Sequence, residues 1–469
     1  MKTLKAFWKM LCGKAETAAA ILLFFTMLLG CGLYIDIKIN GKGTSAQNMP
    51  ENDKRVLLRT VTSDNIREDR SLVTPIFIGT KLGDNMNAAA MSAESRTSLL
   101  ARAEEYLVPL FSGVSEEMTF VSDEARRRYF DELCTENSYI ILSYYKDLPA
   151  SVFLPLFAKE YENSASEMVF NIQNLFILPD SDNNVYAVAI SGDLSVNIIT
   201  PYEPVPFDSQ SFEAYNDNAG FSEFTFEKSE RILPVFTKSF QANNYSVLPA
   251  ISVLGSDAGA EWIIELLKVF DFNENLARSF YSKDQSVLNY VYDGNELAFG
   301  NDGTVSYSAT DDGIDLSEYL GYYPDGSVGY TFSDKVIAVK NIINVIGKAS
   351  LGNDAELCLV NIAFAKNTDK LTFEMKYFVD GIAVTENEAD AVVELMDDKV
   401  ISAQLSALLC TRLETLRNSM PQNTVNSIIS DRENAKQFFA VLSPAEEDGS
   451  RFIKWASIVD SANSEQEGE

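Results

Sequence analysis

Ser143-x-x-Lys146 has the spacing of serine acyltransferases in which a lysine acts as base. Lysine is the relevant base because the chain, 469 residues long, has no histidine. That absence removes Ser-His-Asp and Cys-His nucleophiles, HExxH zinc sites, histidine-held haem or copper, and phosphoaccepting imidazoles. Asp180-Ser-Asp182-Asn-Asn184 repeats the first ligand spacings of a calcium loop, but Val185 and Ser191 stand where such a loop needs glycine and glutamate. We read it as a solvated turn. Asp311, Asp312 and Asp315 form a second acidic loop of the kind that holds a divalent ion weakly. With 68 acids in the chain some carboxylates must lie close together, yet no pair stands out as a glycosidase couple. No phosphate-binding glycine motif occurs, Gly41-Lys-Gly43 being linker. The sequence therefore assigns no catalytic residue, no metal ligand and no cofactor.

The elements that carry these residues argue further against chemistry. Ser143 falls in Ser138–Tyr145, an apolar and aromatic stretch that reads as a strand, and Lys146 follows directly; along a strand positions i and i+3 point to opposite faces. Upstream, a strand is expected at Leu72–Ile78, a helix near 92–108 and a second helix starting at Ser122, whose hydroxyl caps it. Downstream come a helix over Leu148–Tyr161 and strands at Val169–Leu178 and Val185–Thr200, ending at Pro201, Pro204 and Pro206. A middle segment has an amphipathic helix at 257–270, with Trp262, Ile263, Leu266, Leu267 and Phe270 on one face. Asp-Gly pairs at 293–294, 302–303, 312–313 and 325–326 then predict an antiparallel meander. A helix over 334–347, capped by Ser333 and stopped by Gly347, follows it. The last segment predicts strands at Glu356–Ala365, Lys370–Val379 and Ala391–Leu395, a helix near 403–417, another from the capping box Ser430–Glu433, and a final strand at Phe452–Val459.

The N-terminus orients the whole. Lys2, Lys5, Lys9 and Lys14 precede an uncharged run from Thr17 to Ile35, and nineteen residues make a helix of about 28 Å, close to the ~30 Å bilayer core. Ala18, Ile21, Leu22, Leu23, Phe24, Phe25, Met27, Leu28, Leu29, Leu33 and Ile35 supply its apolar surface, and Thr26 and Gly30 have the spacing that lets two membrane helices pack closely. Four lysines before the run and Asp36 after it place the N-terminus in the cytoplasm. Two other readings compete for the segment: a lipoprotein acylated at Cys31, and a cleaved secretory signal. All three send the remainder outside the cell membrane.

Residues 1–35 hold four lysines and one glutamate, so the outer part has 34 bases against 67 acids, a net charge of −33. Such a surface repels nucleic acid and anionic lipid. The compact basic cluster Arg126-Arg127-Arg128 reads as a solvated helix face, with an anchor for an acidic partner as its alternative. Cys134, Cys358 and Cys410 lie in apolar stretches and read as buried thiols, a Cys358–Cys410 bridge being the alternative. The expected architecture is α+β: a single N-terminal transmembrane helix followed by about three extracytoplasmic mixed α/β domains with antiparallel sheets. The divisions are a stub at 1–16, the span at 17–35, a linker at 36–55, domains at 56–200, 207–350 and 351–462, and a tail at 463–469.

The order of these elements resembles a known family. An N-in anchor is followed by Tyr139–Phe157 (YIILSYYKDLPASVFLPLF), then Leu175-Phe-Ile-Leu, then Tyr292-Asp-Gly-Asn-Glu-Leu-Ala-Phe and Asn301-Asp-Gly-Thr-Val-Ser-Tyr. This succession is similar to the YycH/YycI family, membrane-anchored accessory proteins of the WalK–WalR two-component system of Gram-positive bacteria. Tyr377-Phe-Val-Asp-Gly-Ile-Ala-Val384 resembles the repeated sheet unit that this family shares with PepSY-like domains. The resemblance implies a non-enzymatic regulator whose partners are the membrane, a sensor histidine kinase and a paralogous accessory protein. Two further readings stand beside it: an anchored or lipidated envelope enzyme working with carboxylates, and a PepSY-type inhibitor or assembly factor of a secreted hydrolase.

Overall fold

In the computed structural model, which describes residues 73–89, 93–154, 168–213, 221–226, 232–249, 257–310, 313–321, 323, 329–349, 354–365, 368–428, 435–446 and 450–459, the described chain opens on a hairpin. Its strands β1 (Phe77–Leu82) and β2 (Asn85–Ala89) turn at Gly83 with φ +59°. The strand expected at Leu72–Ile78 thus starts two residues after Pro75, the Ile76 N–H already donating to the Ser143 carbonyl of the neighbouring strand at 2.8 Å. Helix α1 (Ala93–Phe111) buries Leu99, Ala103, Tyr106, Leu107 and Leu110 and lies across β1 and β2. After β3 (Val114–Met118), helix α2 (Asp123–Glu136) begins as expected, the Ser122 hydroxyl accepting from the Ala125 N–H at 3.2 Å.

Strand β4 (Tyr139–Pro149) is buried on both faces from Tyr139 to Tyr145, which makes it an interior strand. It runs through Leu148 and Pro149, so the start of the helix expected at Leu148–Tyr161 is corrected there: a 3₁₀ turn, Ala150–Val152, comes first, Phe153 and Leu154 are helical, and residues 155–161 lie outside the described residues. β5 (Asn171–Pro179) comes next. The stretch expected as one strand at 185–200 is two, β6 (Val185–Ile190) and β7 (Val196–Thr200), because the Asp193 carboxylate collects the Ser191 hydroxyl and the Ser195 N–H and turns the chain. A short helix α3 (Ser209–Glu213) and strands β8 (Phe221–Phe226) and β9 (Pro234–Phe236) follow the proline cluster. All nine strands form one antiparallel sheet, ordered β3-β7-β6-β5-β4-β1-β2-β8-β9.

β10 (Gln241–Pro249) leads to helix α4 (Asp257–Val269), which buries Ile263, Leu266 and Leu267, with Phe270 buried just beyond it. The meander follows as β11 (Arg278–Tyr281), β12 (Val287–Tyr292), β13 (Asn295–Gly300) and β14 (Thr304–Ser308). Asp293 and Gly294 turn it at φ 49° and 79°, the left-handed pair that a two-residue hairpin needs. The Asp325-Gly326 pair lies outside the described residues. β15 (Ile314–Asp315) and α5 (Ser317–Leu320) precede helix α6 (Phe332–Ala349). The cap of α6 is Thr331 rather than Ser333: Asp334 accepts from the Thr331 N–H and hydroxyl, both at 2.7 Å, and the Asp334 N–H returns a bond to that hydroxyl. The helix also continues past Gly347, since one internal glycine costs only about 1 kcal/mol.

The last strands are β16 (Glu356–Phe364), β17 (Leu371–Val379), β18 (Ile382–Ala383), β19 (Ala391–Met396), β20 (Lys399–Ser406), β21 (Leu408–Asn418), β22 (Ala435–Leu442), β23 (Ser450–Arg451) and β24 (Ile453–Val459), with helix α7 (Gln422–Ile428) between β21 and β22. The helix expected near 403–417 is therefore corrected to two strands. The buried residues Ala403, Leu405 and Ala407 alternate with Gln404 and Ser406, and β14, β19 and β10 supply the ladders. Ser430–Glu433 lie outside the described residues, and the chain after them is strand, not helix.

A twelve-stranded sheet takes β11 to β14, β15 to β20, β22 and β24; β10, β21 and β23 make a three-stranded one. The described pairings are antiparallel save β18 with β22, so the architecture is α+β with antiparallel sheets. No described helix is long and apolar enough to cross a membrane; residues 17–35 lie outside the described residues.

Candidate functional site

The N-terminal and C-terminal sheets meet at a joint built on alternation along β17. Phe373, Met375 and Tyr377 join the main core, with Met375 beside Leu266 and Phe270 of the α4 segment and Ile343 of α6. Phe378, from the alternate set Thr372, Glu374, Lys376 and Phe378, belongs instead to a second, smaller core. There Tyr145 of β4 stands edge-on to Phe439 at 4.9 Å and Phe378 at 6.0 Å between ring centroids, with Ile76, Cys358, Val360 and Val441 around them.

A polar cluster continues this small core. Lys146 Nζ lies 2.9 Å from Glu374 Oε2 and 3.6 Å from Glu388 Oε2, and Asn361 Nδ2 donates to the same Glu374 oxygen at 3.2 Å. Two residues along β17, Lys376 is wholly buried, 5.3 Å over the Tyr145 ring. Its amine donates to the Asn387 carbonyl and to Thr385 Oγ1 and stands 3.9 Å from Asp390 Oδ2. Asp390 is itself held, accepting from the Tyr377 N–H at 2.9 Å and from the Thr385 hydroxyl at 2.5 Å. Burial brings the Lys376 amine down to about 8; the Asp390 charge opposes this, while Lys146 adds to it. An amine in that range suits Schiff-base or general-base work. With no exposed surface, however, Lys376 is offered only to protein groups.

A second contact lies at the turn after β17. Asp380 and Gly381 adopt φ 53° and 80°, and Arg96 of α1 packs on the glycine so closely that a Cβ there would sit 2.4 Å from the guanidinium carbon. Burial lowers the Arg96 guanidinium to about 10 against the opposing charges of Asp380 and Glu356, and its Nη2 has no hydrogen-bond partner. Asp380 accepts from the Tyr245 hydroxyl at 2.9 Å and from Arg412 Nη2 at 2.7 Å, fastening β10 and β21 to the same turn.

No family model and no curated protein matches the sequence. Among solved structures, the crystal structure of YycH from Bacillus subtilis matches with a TM-score of 0.53 at 12% identity, covering 84% of this chain and 95% of that one. The fold is YycH-like. A structure of an uncharacterized protein from Eubacterium rectale ATCC 33656 also aligns, at 14% identity over 50% of this chain and 85% of that one, but its TM-score of 0.30 is too low to bear on the fold.

Within this YycH-like fold the residues singled out from sequence do not converge. The Ser143 hydroxyl donates to Asn174 Oδ1 at 2.6 Å inside the first sheet while Lys146 reaches across to Glu374, so serine and lysine serve different partners. Asp180 Oδ1 accepts from the backbone of Asp182 and Asn184, an aspartate-stabilised turn. Asp315 accepts from the Ser317 N–H and the Tyr330 hydroxyl; Asp311 and Asp312 lie outside the described residues. Among the described residues no cluster of three carboxylates or thiols could hold a metal. Arg126 pairs with Asp123 on the surface of α2, where Arg127 and Arg128 are also exposed. Cys134, Cys358 and Cys410 are free, buried thiols, each pushed up to about 12 chiefly by burial and so protonated at neutral pH. The anchor residues, Thr26, Gly30 and Cys31 lie outside the described residues.

What sequence reading missed is the joint: Tyr145, Lys376, Asp390, Arg96 and Gly381. One signal was present, two charges, Glu374 and Lys376, on alternate positions of an otherwise apolar strand. The partner of Glu374, Lys146, stands 228 residues away.

Proposed function

We propose that this chain is a membrane-anchored, extracytoplasmic regulator that modulates a sensor histidine kinase by protein contact and performs no catalysis itself. The observation that carries the reading is a YycH-like fold over nearly the whole length of that structure, reached independently of the order of motifs that resembled the family. The joint supports it: Lys146 pairs with Glu374 across the two sheets and Lys376 is buried against protein groups, an arrangement that fixes a surface rather than opens a site. The uncharged run at 17–35 would hold that surface beside other membrane proteins, with the N-terminus inside and the bulk outside.

The test places a photoreactive residue at Phe24 in the full chain and irradiates native membranes. Trapping of a two-component sensor kinase is the expected result. Recovery of no membrane partner, together with cleavage of a cell-wall polymer by the purified chain, would contradict it. Cys31→Ser separates anchor from lipoprotein: unchanged mobility and membrane retention fit the anchor, release from the membrane the lipoprotein.

A further inference from the structure

The two large sheets differ at their ends. Toward the molecule's interior β9 and β24 come together, Phe236 and Trp455 lying 5.6 Å apart between ring centroids. The other two end strands, β3 and β11, each pair on one side only among the described residues, β3 with β7 and β11 with β12. All four residues of β11 and the first four of β3 are exposed, including Phe280 at 49% and Val114 at 52%. An edge of this kind offers unused N–H and C=O groups to another extended segment, and natural proteins usually cover or blunt it.

Charge decides what fits. β3 reads Val114-Ser115-Glu116-Glu117-Met118 and β11 reads Arg278-Ser279-Phe280-Tyr281. Pairing β3 with a second β3 sets glutamates against glutamates, and pairing β11 with itself brings no opposite charge together. Antiparallel pairing of one with the other sets Glu116 opposite Arg278, Ser115 opposite Ser279 and Val114 opposite Phe280: an ion pair, a polar pair and an apolar pair in three consecutive positions. We propose that β3 of one copy of this chain adds to β11 of a second copy, head to tail. Such a contact is heterologous and repeats, giving a ring or an open row of molecules. The net charge of −30 does not forbid it, because at physiological salt a Debye length of about 8 Å screens distant charges and leaves the local pair. The inference is independent of the proposed kinase partner.

Three residue pairs make a weak contact, so covalent trapping is the readout. Two differently tagged full-length chains are expressed together, Ser115→Cys in one and Ser279→Cys in the other, and the membranes are mildly oxidised. The chain's own five cysteines set the background in wild type. The expected product contains both tags and exceeds that formed when both copies carry Ser115→Cys or both carry Ser279→Cys. Adding Arg278→Glu to the second copy should lower it by at least about threefold, and Glu116→Arg on the first should restore it. No mixed product above background, a Ser279→Cys homotypic product stronger than the mixed one, or indifference to the charge reversal would each overturn the proposal.

Discussion

Glu374 and Lys376 alternate along β17, and each is half of an ion pair with a different physical character. Glu374 meets Lys146 at 2.9 Å with 24% and 21% of the two side chains exposed; Lys376 stands 3.9 Å from Asp390 with neither exposed at all. The first pair has the shorter distance and the weaker hold, because water still solvates both charges and salt screens them. The second has given up that solvation and recovers it through hydrogen bonds to Asn387, Thr385 and the Tyr377 N–H. The depressed Lys376 amine reports that the recovery is incomplete. Distance alone would rank the first pair as the costlier to break; burial ranks the second so.

The largest expected effect is at Asp390. Asp390→Ala leaves the Lys376 ammonium buried without its carboxylate and strips an acceptor from the Tyr377 N–H, and should cost about 3–5 kcal/mol in urea unfolding. Lys376→Met with Asp390→Asn removes both charges while keeping an acceptor, and should recover most of that loss. A cost for Asp390→Ala below about 1 kcal/mol would show that burial does not make the pair strong. Next comes Gly381→Ala, which drives a methyl into the Arg96 guanidinium at a backbone φ of 80° and should cost about 1–3 kcal/mol, measured the same way.

A smaller effect appears with pH. Below about 8 both states hold the Lys376 proton and the folded state bears its desolvation. Above 8 the folded amine releases the proton while the unfolded one keeps it toward 10.5, so this group's contribution to stability rises with pH. The buried thiols act in the opposite sense above 9, which confines the useful window to pH 8–9. There the stability of wild type relative to Lys376→Met should rise by about 1 kcal/mol. A flat or falling difference would place the Lys376 amine outside that window. Smallest of all, Lys146→Ala should cost less than about 1 kcal/mol, and less still at 1 M salt.

Local rules that act within a few residues were readable in the sequence. Ser122 caps its helix as its type suggests, and Asp293-Gly294 turns its hairpin with the left-handed angles such a pair tolerates. Reading failed where distant partners decide. Residues 403–417 are rich in leucine, alanine and arginine, all good helix formers, yet β10, β14 and β19 draw them into strands. Thr331 took the cap from Ser333 because Asp334 stands three residues after the threonine and can return its bond. The joint was least legible: no local pattern registers a lysine with a glutamate 228 residues away, or an arginine of a helix lying on a glycine of a distant turn.

The claim that this chain works by contact rather than chemistry is tested most directly by the Lys376→Met, Asp390→Asn variant of the full chain. The measurement is phosphorylation of the response regulator in membranes carrying wild type, the variant or no copy of the chain. The variant lacks the buried titratable pair, and its urea unfolding is measured alongside to establish that it is folded. Phosphorylation equal to wild type is the result expected of a contact regulator. A folded, membrane-bound variant that behaves like the membranes without the chain would contradict it, because the chemistry of the lysine would then be what the protein supplies.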